Sequence, residues 1–261
     1  MSVHRPHFLI SNDDGIHAPG IAHLAELLRK MGDVTLVAPD GPRSGASSQI
    51  TTTLPLKLIK MRDEEGYQVY RCSGTPADCV KLALNVLFPK NQRPDLVVTG
   101  INHGRNDGIC VIYSGTVGAA IEGCIAGIPS LAISVNDHGE DAEMRYAIAY
   151  AEPIVRWMLH NELPLHTLLS LNLPIEKPLG LRIAPQAVGR FMDEFVHGTN
   201  ASGNPVYWMA GKQTKTEDTP DTDFDFLEMG YATLTPIRID MTDRATLAQL
   251  EASFSDQKIL L

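Results

Sequence analysis

The sequence predicts an α/β fold built on a mostly parallel sheet. Short apolar runs alternate with helical patterns, most of those runs are nearly continuous in β-branched residues or leucine, and polar, glycine-bearing loops follow them. Strands covered on both faces read this way because neither face meets water.

Taken in order, Phe8–Ser11 is the first strand. The helix Gly20–Met31 places Ile21, Leu24, Leu28 and Met31 on one face and stops at Gly32. Val34–Ala38 is the second strand. Residues 51–72 carry TTTLPLKLI and YQVYRC around the polar DEEG, the pattern of a β-hairpin with an acidic turn. Thr75–Leu87 opens with a capping threonine, has Pro76 in its first turn and sets Asp78 near the positive helix end. Leu96–Thr99 is the next strand. Thr116–Ala126 is a helix rich in small residues, closed by Gly127 and Pro129, and leads to the strand Ser130–Val135. Asp141–His160 reads as a longer helix, kinked or broken near Pro153, before the strand Leu168–Leu173. From Asn204 the texture changes. The polar KQTKTEDTPDTDFD precedes one strand-like run, Tyr231–Ile239, and a short amphipathic tail. The expected organisation is an α/β domain over 1–203 and an extension over 204–261 that serves oligomer contacts.

A chain of 261 residues buries roughly three quarters of its unfolded surface and needs no disulfide or structural metal to fold. Hydrophobic content of 44% and charged content of 20% are ordinary for a globular enzyme. A net charge of −9, with no basic stripe, argues against polymeric nucleic acid as a partner. A small anion remains admissible if a cation bridges it to the protein. Cys72, Cys79, Cys110 and Cys124 show no metal or redox spacing, so reduced thiols in a cytoplasmic protein are expected. The N-terminal MSVHRPHFLISNDDG does not read as a signal peptide, and no stretch approaches the ~20 apolar residues of a membrane span.

The chemistry collects after the strands. Asn12-Asp13-Asp14-Gly15, Pro39-Asp40-Gly41-Pro42-Arg43-Ser44-Gly45 and Gly100-Ile101-Asn102-His103-Gly104-Arg105-Asn106 each follow one. In an open parallel sheet such loops open into a common crevice at the carboxyl ends of the strands. Asp13 and Asp14 repel each other by about 4 kcal/mol at ~4 Å in an effective dielectric of 20. A hard divalent cation turns that repulsion into attraction. Ser44 and Asn102 are neutral oxygen donors of the kind such cations accept, and the set leaves positions open for a phosphate oxygen and a water. Tyr113-Ser114-Gly115-Thr116 runs straight into a helix, so its amides and hydroxyls suit an anion. Asn106 is placed to donate to the same anion. Singly, each of these residues is more often a turn or cap residue; the order and convergence carry the reading. His17 and His103 are secondary candidates as proton shuttles, and Arg43 and Arg105 as neutralising charges.

These loops, in this order, resemble the SurE family of 5′/3′-nucleotidases, also called survival proteins. The matching segments are SNDDGIHAPG at 11–20, VTLVAPDGPRSGASS at 34–48, SGTPADCVKLALN at 73–85, VTGINHGRN at 98–106, YSGTVGAAIEG at 113–123 and TDFDFLEMGYATLTPIRID at 222–240. The resemblance implies a three-layer α/β/α fold with a Rossmann-like, mostly parallel sheet and a C-terminal extension used in oligomerisation. It implies one divalent cation per subunit, Mg2+ or Mn2+, on Asp13, Asp14, Ser44 and Asn102. A phosphate-holding region maps onto Asn106, Ser114, Gly115 and Thr116, with catalytic roles falling to Asp13, Asp14, Asn106 and Ser114. It further implies hydrolysis of nucleoside 5′- and 3′-monophosphates, with short polyphosphate as a further substrate of some relatives, in a homodimer or homotetramer. One departure stands out. Many relatives carry an acidic pair shortly before the Tyr-Ser-Gly-Thr motif, where this chain has Ile109-Cys110, so no carboxylate role carries over there.

The expected chemistry is metal-assisted phosphomonoester hydrolysis by attack of water, with Asp13 as nucleophile left open as a variant. Two other classes fit less well. A phosphorylation receiver needs an aspartate closing a central strand, where this chain offers Asn102, and is about half this length. A nicotinamide-dependent oxidoreductase needs a glycine fingerprint after the first strand, and none is present.

Overall fold

The computed structural model describes residues 4–89, 91–137 and 144–254. β1 (His7–Ser11) leads through α1 (Pro19–Arg29) to β2 (Asp33–Pro39), and the hairpin of β3 (Leu58–Glu64) and β4 (Tyr67–Cys72) follows. Next come α2 (Pro76–Val86), β5 (Leu96–His103), the short α3 (Cys110–Tyr113), α4 (Gly115–Ile125), β6 (Ser130–Val135), α5 (Arg145–Met158) and β7 (Thr167–Leu173). The remainder comprises β8 (Leu181–Ile183), β9 (Gly189–Met192), β10 (Phe195–Thr199), β11 (Pro205–Met209), β12 (Lys212–Lys215), α6 (Asp223–Glu228), β13 (Ala232–Arg238) and α7 (Arg244–Phe254).

Nine strands form one sheet in the order β3-β4-β2-β1-β5-β6-β7-β13-β8. The central run from β4 to β7 is parallel, while β3 pairs antiparallel with β4 and β13 with β7. From β1 the chain builds outward through β2 to β4, then returns to lay β5 on the other side of β1. Strand order therefore reverses between β1 and β5, and a crevice opens at their carboxyl ends.

Alternation along β1 shows why these strands read as unbroken apolar runs. Phe8 and Ile10 pack with Ile21, Leu24 and Leu28 of α1 and with Ala151 and Val155 of α5. Leu9 points the other way, into a cluster with Cys79, Val80 and Ala83 of α2 and Ala119 of α4. Both faces are covered, giving three layers, α/β/α, and each fully buried Leu or Ile contributes about 1.5–3 kcal/mol. The Thr75 cap expected for α2 is present as a reciprocal capping box with Asp78. Among the described residues no helix is long and apolar enough to cross a membrane.

Two expectations change in detail, the end of β5 and the course of α5. β5 does not end at Thr99 but continues to His103, with a register shift against β6 between Thr99 and Asn102. Gly100 permits this: its φ is +123°, and a Cβ there would lie 2.3 Å from the Ile133 carbonyl oxygen. Such an irregularity re-aims the side chains beyond it. Helix α5 runs unbroken through Pro153. Pro153 and Ala149, whose carbonyl loses its partner, both lie on the exposed side, where that carbonyl is open to solvent. The first residues expected in this helix, 141–143, lie outside the described residues. The 203/204 boundary falls in the turn joining β10 and β11, and the late strand β13 lies inside the main sheet between β7 and β8.

Gly20 carries the contact between α1 and the crevice strand. A Cβ at this position would lie 2.0 Å from the Ile101 carbonyl oxygen. Helix propensity alone favours Ala over Gly by about 1 kcal/mol. The expected outcome for Gly20→Ala is instead a loss of about 1–3 kcal/mol by chemical denaturation, because β5 has to shift to admit the methyl. A gain in stability shows that α1 does not seat directly on β5.

Candidate functional site at the strand-order reversal

β1 ends in a buried Asx turn. Asn12 donates its side-chain amide to the Gly15 carbonyl at 2.9 Å and accepts the Gly15 N–H at 3.2 Å. This turn projects the two following carboxylates differently. Asp13 is only 5% exposed, whereas Asp14 is half-buried. The Asp13 carboxylate accepts a short hydrogen bond from the Thr116 hydroxyl on α4. Glycine at 115 is required by this approach, since a Cβ there would meet Asp13 Cβ at 2.9 Å and Oδ2 at 3.1 Å.

The other strand ends close around this pair. The Arg43 N–H donates to the Asp13 carbonyl at 2.7 Å, tying the loop that carries Ser44 directly to the Asp13 loop. Ser44 itself is exposed, and Arg43 pairs with Asp40 at 2.7 Å. Asn102 is buried at the extended end of β5, its amide donating to the Gly104 carbonyl at 2.9 Å, and the His103 N–H donates to Asp14 Oδ2 at 3.2 Å. Ser114 is the N-cap of α4 and accepts the Val117 N–H at 3.0 Å. The structure thus brings Asp13, Asp14, Asn102, the Ser44 loop and Ser114–Thr116 to one crevice. Asn106 sits behind them, its amide donating to Ser134 Oγ at 2.8 Å and its backbone N–H to Asn172 Oδ1 at 2.8 Å. His17 goes elsewhere: it is exposed and lines a separate cavity with Arg29, Met61 and Tyr67 between α1 and the β3–β4 hairpin.

Several residues of this neighbourhood gave no sequence signal. Ser134 and Asn172 are buried polar residues near the ends of β6 and β7, and a polar position in an apolar run assigns them no role by itself. Arg105, flagged as a possible phosphate partner, instead holds Asp107 through both oxygens at 2.6 and 2.7 Å and reaches Glu228 of α6.

The donor set of Asp13, Asp14, Ser44 and Asn102 consists of oxygen atoms with two negative charges. That composition fits a hard divalent cation and not a soft thiolate metal. Among the described residues no group of three His, Cys, Asp or Glu side chains comes together to offer a different centre. Burial pushes the Asp13 carboxyl up from 3.8 to about 6, with the Asp14 charge adding to the rise and the Thr116 hydrogen bond working against it.

The match to known proteins is extensive. The family model described as "Survival protein SurE" matches residues 8–193. A protein of Porphyromonas gingivalis named 5′-nucleotidase SurE is 56% identical over 243 residues, covering 93% of this chain and 94% of the relative. A Phocaeicola vulgatus protein of the same name is 42% identical over 253 residues, covering 96% and 98%. The crystal structure of the SurE protein from Aquifex aeolicus superposes with a TM-score of 0.80 at 34% identity, covering 95% of this chain and 99% of that one.

The Asp13 shift has a consequence for stability. The folded chain holds this proton more tightly than the unfolded one between pH 3.8 and about 6. Metal-free protein therefore loses about 3 kcal/mol of stability as pH rises through that window. Asp13→Asn removes the loss and keeps an acceptor for Thr116. With chelator present at pH 8, calorimetry is expected to show the variant melting several degrees above wild type. Equal or lower melting means the Asp13 carboxylate is not held under strain.

Proposed function

The chain belongs to the SurE family, and from that premise we propose that it is a 5′-nucleotidase, a phosphoric monoester hydrolase that releases phosphate from nucleoside monophosphates with one bound divalent cation. One observation carries this reading: a buried carboxylate and the N-terminus of α4 share a single crevice, joined by the Thr116–Asp13 hydrogen bond. The helix end suits an anion, yet the carboxylates repel one. A hard cation held by the carboxylates would reconcile the two by offsetting their charge towards a phosphate.

In this reading Asp13, Asp14, Ser44 and Asn102 hold Mg2+ or Mn2+, which when bound draws charge from the phosphoryl oxygens and acidifies a water. Thr116 fixes the orientation of Asp13, while the first-turn amides of α4 and the Ser114 hydroxyl hold the phosphoryl oxygens. Asn106 has one amide N–H committed to Ser134 and a second to give to the substrate. Water attacks phosphorus in line as the bond to the nucleoside oxygen breaks. Attack by Asp13 is the competing route, and it alone passes through an aspartyl phosphate, the state that a beryllofluoride-type analogue traps on the carboxylate.

The reading extends to 3′-monophosphates and short polyphosphate as further substrates, and to no polymeric nucleic acid, in line with the −9 charge. A homodimer or homotetramer is supported by the β10–β11 ribbon, which exposes Phe195, Val196, Tyr207, Trp208 and Met209. A cytoplasmic location is supported by four free cysteines.

Hydrolysis of an aryl phosphate and then of a nucleotide panel tests the reading directly. Chelator is expected to abolish turnover and Mg2+ or Mn2+ to restore it. Asp13→Ala is expected to lower kcat at least about a thousandfold, and Asn106→Ala about a hundredfold, with the fold retained by circular dichroism. Full activity of metal-stripped protein, or near wild-type turnover by Asp13→Ala, removes the proposal.

A further inference from the structure

The loop from Asn106 to Gly108 is held from four separate parts of the chain. The Asn106 N–H donates to Asn172 of β7. The Asp107 carbonyl accepts from Gln213 Nε2 of β12 at 3.2 Å as well as from the Cys110 N–H at 3.0 Å. The Gly108 carbonyl accepts from Gln186 Nε2, between β8 and β9, at 2.8 Å. The Gly108 N–H donates to Asp223 Oδ2 of α6 at 2.9 Å, and Asp223 Oδ1 accepts the Ala187 and Phe224 N–H groups, each at 2.8 Å. The Arg105–Asp107 pair closes the outer side, with the guanidinium bridging to Glu228 and lying 4.9 Å from the Phe224 ring centroid.

Stability alone is a poor reason for this cage. Asp107 is 0% and Asp223 1% exposed. Burying two carboxylates beside a surface loop costs several kcal/mol per charge before pairing, and apolar side chains of similar volume commonly stabilise as well or better. What the cage does supply is order. Fixing a loop residue costs about 1–2 kcal/mol, and a loop already fixed does not draw that from substrate binding.

Resting on the phosphatase reading, we propose that Asp223, Gln186, Gln213 and the Arg105–Asp107 pair are positioning residues that hold Asn106 ready for the phosphate, so that the C-terminal part of the chain completes the phosphate site. The hydrogen bonds of the cage end on Asn106, Asp107 and Gly108, beyond Asn102 at the end of β5, so its effect falls first on phosphate binding and only weakly on the metal ligands. Burial lifts the Asp223 carboxyl above its ordinary range while its three backbone hydrogen bonds oppose the rise. The neutral isostere therefore offers one acceptor to three donors.

The test uses the full chain carrying Asp223→Asn, and a second variant with Gln186→Ala and Gln213→Ala together, which removes no charge and leaves the helices intact. With saturating Mg2+ or Mn2+, KM for an aryl phosphate and the dissociation constant of inorganic phosphate, read by calorimetry, are expected to rise together about tenfold or more. The dissociation constant of the metal, titrated without phosphate, is expected to stay within about twofold. Unchanged phosphate binding in both folded variants overturns the assignment. So does parallel weakening of metal and phosphate, which marks the cage as general scaffolding. If wild type binds phosphate but cleaves no phosphomonoester, the phosphatase reading fails while the calorimetric comparison still decides the cage.

Discussion

A carboxylate buried against the positive end of a helix is the constraint from which the rest of this site follows. Asp13 reaches α4 because β1 stops at the strand-order reversal, where the first turn of α4 meets the strand end. It stays there only because Gly115 leaves room and Thr116 supplies a hydroxyl. Desolvation disfavours its charge, which is why its proton is held up to about 6. A group in that position is unfavourable for folding near neutral pH and favourable for gripping a cation.

The small residues of α4 follow from the same approach. Gly115 faces Asp13, and the Ser47 hydroxyl and N–H bond to the carbonyls of Ile112 and Tyr113 just before the helix. The α4 N-terminus is therefore pressed between the Asp13 loop and the loop after β2. A helix with ordinary side chains in its first turn would hold the two loops apart, and the oxygen donors would no longer face one another. Sequence simplicity here reflects close packing around charge.

The parallel core and the principal loops were legible in the sequence because each rests on local pattern. Continuous apolar runs marked β1, β2, β6 and β7 to within a residue or so, and the polar loops after them marked the crevice. Asp13 and Asp14 stood out as adjacent carboxylates at an apolar strand end, and Ser114–Thr116 as hydroxyls and amides running straight into a helix. The remainder depends on distant partners. Leu181–Ile183 is too short to announce a strand and exists as β8 only by pairing with β13. Lys212–Lys215 lies in a polar stretch that reads as loop and becomes β12 by pairing with β9. Asn102 ends a strand and does not open a loop, since the Gly100 backbone and the Ile133 carbonyl decide where β5 stops. Asn172 and Asp223 acquire a role only through contacts across 66 and 115 residues.

Those long-range contacts bear on how the chain divides. Composition suggests a break near Asn204, but the polar stretch that follows supplies Gln213 and Asp223 to a loop at the end of β5, and β13 joins the sheet between β7 and β8. Polarity in this stretch therefore does not mark a linker, because several of its polar atoms are spent on backbone groups of the site. β10–β11 and α7 differ: their apolar side chains face outward and no residue of α7 is buried. The separation that matters physically runs between residues whose polar groups are satisfied at the crevice and those whose apolar surface is left outside. It follows contacts, and it crosses the sequence more than once.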